Sequence, residues 1–367
     1  MVVTLDSVDL YKIGWIATLP VDRAAAIAML DEQHDPPRDF EQDRYDPNSY
    51  AWGRIHEHNI VITSGSETGY ITVNDFLRAH PNIGMGLLVG IGGGIPRHGP
   101  GVEELDIRLG DVAVSHPTYN SGGLLQYDVG MPGPWERRGN FNNPPQVLLH
   151  ALSSLRVKHL LEPSSIPDFL EEMSKKNPYM VERGNRTSSF VHPGVHKDRL
   201  FVSTYTHNSA GDGCSLCESA SEIVRHNRAS TDPEIHYGII ASGNSLIRDA
   251  ITRDRLGAQI GQECICFEVD AAGIMNHFPC LVIKGICNYS DSHANDEWKG
   301  YASATAAALA KELLDCVLPP PLDPKVIQRA SGMFKSSQPS LLESKIHQAA
   351  NGREVGNSSK QDVQDLK

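Results

Sequence analysis

Residues 267–301 read FEVDAAGIMNHFPCLVIKGICNYSDSHANDEWKGY. At the centre is Cys280-Leu281-Val282-Ile283, a short apolar run set between Phe278-Pro279 and Gly285. A buried helix would need a longer run, so the β-branched pair Val282 and Ile283 is expected in a buried parallel strand. Beyond it lies Cys287-Asn288-Tyr289-Ser290-Asp291-Ser292-His293, a loop rich in hydrogen-bonding side chains. Before it, Glu268 and Asp270 are expected to open a helix. In open α/β sheets ligands collect beyond the carboxyl ends of strands. Two polar clusters flanking one buried strand suit a polyhydroxyl ligand that carries a leaving group.

Outward from this stretch the chain alternates between strand-like and helix-like segments. Strands are expected at residues 11–19 (YKIGWIATL), 58–65, 84–91, 111–115, 122–128, 200–205 and 235–243. Helices are expected at residues 22–30, 72–80, 146–159, 166–176, 244–257 and 305–316. The pattern predicts an α/β fold: one domain over residues 8–318, with a mixed, largely parallel sheet flanked by helices. Residues 131–200 read as a helical insertion with no evident chemistry. Pro319-Pro320-Pro321 closes the domain, and residues 319–367 read as a Pro-rich linker and a polar, disordered tail. The glycine loop at 90–94 lacks the spacing of a dinucleotide site or a P-loop.

The chain has 367 residues, 40% hydrophobic and 21% charged, with a net charge of −12. This is the composition of a soluble globular protein. The acidic balance argues against a nucleic-acid partner. No apolar run is long enough to span a membrane, and residues 1–6 do not resemble a signal peptide, so a cytoplasmic protein is expected. Of the seven cysteines, Cys264, Cys266, Cys280 and Cys287 lie in or beside apolar strand-like runs and fit buried, reduced thiols. Cys214-Ser215-Leu216-Cys217 stands apart. An incidental pair, a disulfide and a zinc site all remain open. Zinc would need two further ligands, and His207 is a lone nearby candidate. No metal or cofactor is expected at the functional site.

FEVDAAGIMN followed by KGICNYSDSH resembles the nucleoside phosphorylase and nucleosidase superfamily. It is most similar to the branch found at the N-terminus of large fungal multidomain proteins. The resemblance spans roughly residues 8–318, with several motifs in the expected order. It implies cleavage of an N-glycosidic bond in a small-molecule nucleoside by a homo-oligomer, a dimer or trimer. Such chemistry must hold the sugar, stabilise the departing base and position a nucleophile.

On this resemblance Asp270 grips the ribose hydroxyls, supported by Glu268 and Val269. Asp22 falls in the first turn of its helix, where an acid also complements the helix dipole. The resemblance gives it the role of activating water. Both aspartates stand where the family usually has glutamate. Asn288 occupies the position of the purine-N7 proton donor. Its amide can donate a hydrogen bond but not a proton, which favours 6-oxopurines such as inosine or guanosine. Asp291 is a candidate second acid, and Lys284 a charge partner behind the acids. Ser242, Gly243, Leu246 and Ile247 match the loop that covers the base, with Leu246 where an aromatic is usual. Gly92 and Gly93 are expected to let the backbone approach the ligand. Leu88 and Ile91 replace the Arg and Ser that bind phosphate in phosphorylases, so water is the expected nucleophile. Arg23 or Arg108 could supply a different anion site. A non-catalytic nucleoside sensor and a phosphorylase remain as alternatives.

Overall fold

The computed structural model describes residues 3–65, 73–97, 106–119, 121–128, 136–182, 184, 189–207 and 213–318; the side chains of residues 128 and 136–140 are left aside. The polar tail at 319–367 lies outside these residues. Twelve strands are described: β1 (Val3–Thr4), β2 (Ile13–Ile16), β3 (Glu32–Asp35), β4 (Ser49–Ile55), β5 (His58–Ser64), β6 (Met85–Gly94), β7 (Val112–Ser115), β8 (Leu124–Asp128), β9 (Glu136–Asn140), β10 (Ile235–Gly243), β11 (Cys264–Glu268) and β12 (Cys280–Asn288). The described helices are α1 (Pro20–Ala28), α2 (Val73–Ala79), α3 (Gln146–Leu161), α4 (Ile166–Lys176), α5 (Pro178–Val181), α6 (Ala250–Ile260) and α7 (Lys299–Asp315).

The strands form one sheet in the order β1-β3-β4-β5-β2-β6-β12-β7-β10-β8-β9. Its centre is parallel: β5, β2, β6 and β12 run the same way. The expectation of a largely parallel sheet needs correction, because β7 is antiparallel to β12 and β4 to both β3 and β5. The last strand described, β11, pairs in parallel with β10 and antiparallel with β6. It therefore ties two strands that stand apart in the sheet order and partly closes the sheet into a barrel. A single apolar segment does not encode which neighbour it will meet, so the mixture of directions is set by long-range pairing.

The core lies on both faces of β2, β6 and β12. One cluster joins Trp15, Leu87, Ile283 and the inward face of α1 to Ala304, Ala308 and Leu313 of α7. The other packs Phe76, Leu88, Val282 and Phe278 together. Helix α7 is buried along almost its whole length, which its Ala-rich sequence allows by keeping the helix thin. Its backbone presses directly on β12. A Cβ built on Gly285 would stand 1.8 Å from the Ala302 carbonyl oxygen.

Some expectations shift. Residues 200–205 are not a strand; Phe201 forms only an isolated bridge with Glu222. The helix expected from residue 244 begins at Ala250, capped by Asp249, whose side chain accepts from Thr252 N at 2.8 Å. Glu268 ends β11 instead of opening a helix, and only a 3-10 turn at Ala271–Gly273 follows.

Because backbone cannot yield as a side-chain tip can, Gly285→Ala is expected to cost about 3 kcal/mol or more. Urea unfolding of the full chain measures this; an unchanged midpoint would show that α7 can move off β12.

Candidate functional site

Strand β12 carries Lys284 into the interior with no exposed surface. Its ammonium lies 2.6 Å from Asp270 Oδ2 and 3.1 Å from Glu268 Oε2. Burial alone would lower its pKa, but the two carboxylates outweigh that and hold it above its ordinary value. Thr18 Oγ1 also donates to Asp270 Oδ2, at 3.1 Å. These contacts all use Oδ2, and the Asp270 side chain keeps 22% exposure, so it remains accessible to a ligand. Glu268 is spent differently. Its carboxylate accepts from the backbone N–H groups of Asp270 at 3.0 Å and Ala271 at 3.1 Å, capping the short turn and aiming Asp270.

Asp22 is buried in the first turn of α1. It accepts from Ser303 Oγ at 2.6 Å and from Leu19 N at 3.4 Å. The second bond is the helix-start role read from sequence. The first ties it to α7. Burial lifts its pKa from the ordinary 3.8 to about 6; Ser303 and Lys284 oppose the rise and Asp270 adds to it. Gly90 makes the room, since a Cβ there would meet Asp22 Oδ2 at 2.7 Å.

A cavity of about 320 Å³ opens beside this cluster, at the carboxyl ends of β6, β11 and β12. Of the residues expected at the site, Gly92, Gly93, Leu246, Ile247, Glu268, Val269, Asp270 and Asn288 line it. Asp22, Ser242, Gly243 and Asp291 are not in the lining. Ser242 Oγ accepts from Ala272 N at 2.9 Å, supporting the turn after Asp270. Gly243 gives room to the Tyr127 ring, whose Cζ would stand 2.2 Å from an added Cβ. Asp291 faces His293 and Arg253 instead, with Arg253 Nη1 at 3.8 Å.

Asn288 has a fixed orientation. Its Oδ1 accepts from Ser290 N at 2.8 Å, and its Nδ2 lies 3.2 Å from Cys287 Sγ. The carbonyl side being occupied, the amide presents its N–H side as a donor. The bond accompanies a left-handed Ser290, φ 52°. A non-glycine residue in that region is uncommon and is found where the surrounding structure enforces it. Gly93 fits this turn, since a Cβ there would stand 2.1 Å from Ser290 Oγ.

The aromatic wall was not read from the sequence. Tyr127 and Phe267 meet edge to face at 5.4 Å and both line the cavity, whereas Leu246 is 62% exposed. The alternation of β11 could have shown that Phe267 shares a face with neither Cys266 nor Glu268; Tyr127 carries no such signal. Arg23 and Arg108 do not line the cavity. Arg23 donates to Tyr50 O at 3.1 Å, and Arg108 pairs with Asp106 at 2.6 Å. A larger groove of about 820 Å³, lined by Arg108, Asp111, Arg225 and Arg228, lies elsewhere. Its charged groups are already joined in ion pairs, such as Arg228 with Asp111 at 2.7 Å, so the smaller cavity is the candidate site.

The chain is similar to part of a nucleotide-binding leucine-rich-repeat-like protein. That relative, from Hyaloscypha variabilis, is 38% identical over 334 residues, which are 88% of this chain. The chain spans 31% of the relative's length. No family model matches. Similar solved structures include the 5′-methylthioadenosine/S-adenosylhomocysteine nucleosidase of Helicobacter pylori, at TM-score 0.49 and 13% identity over 83% of this chain and 98% of that one. Futalosine hydrolase of the same organism gives 0.48 and 14% over 84% and 99%. The Streptococcus pneumoniae nucleosidase gives 0.46 and 16% over 84% and 100%.

A carboxyl whose folded pKa exceeds its unfolded value binds protons preferentially in the folded state, so stability falls as pH rises between about 4 and 6. Asp22→Asn removes this burden. The stability gained from the substitution is expected to be about 2.5 kcal/mol larger at pH 8 than at pH 4. Urea unfolding at the two pH values reads it; equal gains would mean that burial leaves the pKa of Asp22 at its unfolded value.

Proposed function

We propose that the chain is a nucleosidase of the nucleoside phosphorylase and nucleosidase superfamily, which hydrolyses the N-glycosidic bond of a purine ribonucleoside. The observation that carries this reading is a carboxylate and an amide donor on the wall of one cavity, with a second carboxyl of raised pKa behind it. Asp270, oriented by Glu268, Thr18 and Lys284, takes the ribose hydroxyls. Asn288, its oxygen held by the Ser290 amide, donates to the leaving base. The Tyr127–Phe267 pair and Ile247 supply the apolar surroundings of the base, which Leu246 alone would not. A hydrogen-bond donor in place of a proton donor suits bases that leave as delocalised anions, so inosine or guanosine is the favoured substrate.

Asp22 is the general base. With a pKa near 6 it is ionised at neutral pH and still basic enough to take a proton from water. The reading requires water to reach Asp22 from the cavity, whose lining it does not join. Where phosphorylases carry the Arg and Ser that bind phosphate, this chain has Leu88 in the core and Ile91 on the cavity wall; the cations that line the cavity are Arg248 and Lys299. The setting proposed is a cytoplasmic homo-oligomer that needs no cofactor for this reaction.

One observation favours a second reading. Asp22 does not line the cavity, and the similar relative is a leucine-rich-repeat-like protein about three times as long. A module that binds a nucleoside without turning it over, as an input for further domains, fits both.

Base release from adenosine, inosine, guanosine, uridine and methylthioadenosine, with and without phosphate, separates the readings. Hydrolysis of inosine or guanosine without phosphate is expected. Its kcat/KM should fall below about pH 6 as Asp22 takes up a proton. Asp22→Asn should lose about 100-fold or more in kcat while still binding nucleoside. Binding without turnover in the unaltered chain would establish the sensor, and turnover only with phosphate would establish a phosphorylase.

Asn288→Asp is expected to move preference toward adenine nucleosides by about 10-fold or more, because the acid can protonate the departing base. An unchanged ratio of kcat/KM values would remove Asn288 from leaving-group stabilisation.

A further inference from the structure

Cys214 and Cys217 lie outside the machinery described above. They are held in a tight turn: Cys217 N donates to Cys214 O at 3.1 Å. Arg199 donates to both carbonyl oxygens, the Cys217 one at 3.3 Å. Both thiols are free. His207 Nδ1 stands 3.1 Å from Cys217 Sγ and 4.0 Å from Cys214 Sγ. The sequence offered His207 as a lone histidine near the pair. The fold supplies a second one, from the loop after β12.

That second histidine is His293. Its side chain is 5% exposed and stacks on Phe201 with ring centres 4.2 Å apart. Tyr205 stacks beside it at 5.5 Å. Neither ring nitrogen of His293 has a hydrogen-bond partner. A buried polar ring without partners costs free energy unless something else satisfies it. The ligand atoms of His207, Cys217 and His293 all lie within 4.8 Å of one another. His207 is fixed beside His293 by its backbone N–H, which donates to Ser292 Oγ at 2.9 Å.

The chemistry of this group is specific. Zinc takes two thiolates and two imidazoles in a tetrahedron, with Zn–S near 2.3 Å and Zn–N near 2.1 Å, so a sulfur and a nitrogen on one ion stand roughly 3.6 Å apart. The two His207–sulfur distances, 3.1 and 4.0 Å, bracket that separation. Behind His293 stands Asp291, with Oδ2 3.6 Å from Nδ1 and Oδ1 accepting from the His293 backbone N–H at 2.9 Å. A carboxylate behind a metal-bound imidazole orients it and raises its basicity. The cluster of Asp111, Glu234 and His236 makes a useful contrast. There Arg228 already supplies the cation, at 2.7 Å from Asp111 and 3.0 Å from Glu234. Beside the two cysteines Arg199 is a nearby cation, but its guanidinium is directed at the carbonyl oxygens of the turn.

We propose that Cys214, Cys217, His207 and His293 bind one zinc ion in a closed structural site that fastens the segment at 199–225 to the loop following β12. Binding releases the two thiol protons to solvent and changes no oxidation state. The ion would also anchor the loop that carries Asn288 and Ser290, five and three residues before His293. Zinc is one of the three readings that the sequence leaves open for this cysteine pair, and the site does not depend on the nucleosidase reading.

Plasma mass spectrometry of the full chain, purified without chelator, tests this directly. About one zinc per chain is expected. Cys217→Ser and His293→Ala should lose most of it, while Cys316→Ser, at the end of α7, should keep it. Should the ligand variants fail to fold, Co²⁺ added to the metal-stripped natural chain gives an independent reading. It should produce the visible bands of a tetrahedral ion and a thiolate-to-cobalt charge-transfer band. Zinc below a tenth of the chain concentration together with no cobalt bands would overturn the proposal. So would a full zinc content in both ligand variants, or a Cys214–Cys217 disulfide in the intact, metal-free protein.

Discussion

Lys284 is the charge on which the interior depends. An ammonium with no exposed surface is tolerable only if carboxylates surround it, because burying an unpaired ion costs several kcal/mol. Asp270 and Glu268 meet that need by direct contact, and Asp22 contributes from a greater distance. The cluster then holds three acids and one base. Asp22 has its pKa raised chiefly by burial; Ser303 and Lys284 oppose the rise and the Asp270 charge adds to it. Burial beside this cluster leaves one carboxyl poised to exchange a proton near pH 6, which the proposed role of general base requires.

Strand pairing makes this cluster possible. In register with β6, β12 places Lys284 opposite Gly90 and Ile286 opposite Gly92. β11 pairs with Gly93 and Gly94 at the far end of the same strand and delivers Glu268 and Asp270 to the ammonium. Glycines here serve the protein's own side chains. Gly90 admits Asp22, Gly92 admits Cys266 and Gly93 admits the Asn288–Ser290 turn. The sequence suggested glycines that let a ligand approach. The structure gives them a prior task, packing a polar cluster against a strand that has no side chains to spare, and only Gly92 and Gly93 also face the cavity.

What the sequence made legible were segments whose burial is written in their own composition. β6, β10, β12 and α7 are apolar runs bounded by turn residues, and they form much as expected. β3, Glu-Gln-His-Asp, has no strand-like composition; it exists because β4 and β1 pair with it on either side. The opposite error occurs at Phe201, whose aromatic and β-branched surroundings suggest a strand but whose ring is used to stack on His293. At the site, Asp270 and Asn288 could be found because a motif carries them. Thr18, Ser303 and Tyr127 could not, since each reaches the cluster or the cavity from a distant element and has no local pattern of its own. His293 is the same case for the cysteine pair. Spacing along the chain marks only the cysteine pair and His207, whereas the proposed fourth ligand arrives from another part of the fold.

The shared field of the acids links occupancy of the cavity to the chemistry behind it. Asp270 raises the pKa of Asp22 because its negative charge stands nearby. A sugar hydroxyl that donates to Asp270 spreads that charge and weakens its repulsion of Asp22. The Lys284 ammonium, already pulled toward Asp270, then becomes a relatively stronger influence on Asp22. On the proposed reading, a ribose hydroxyl bound to Asp270 favours the ionised form of Asp22, against the burial that is the main cause of its raised pKa. A ligand without hydroxyls at that position would leave Asp22 more protonated. On the same proposed reading, selectivity for a ribonucleoside arises in the rate as well as in binding, from one carboxylate sensing what another one holds.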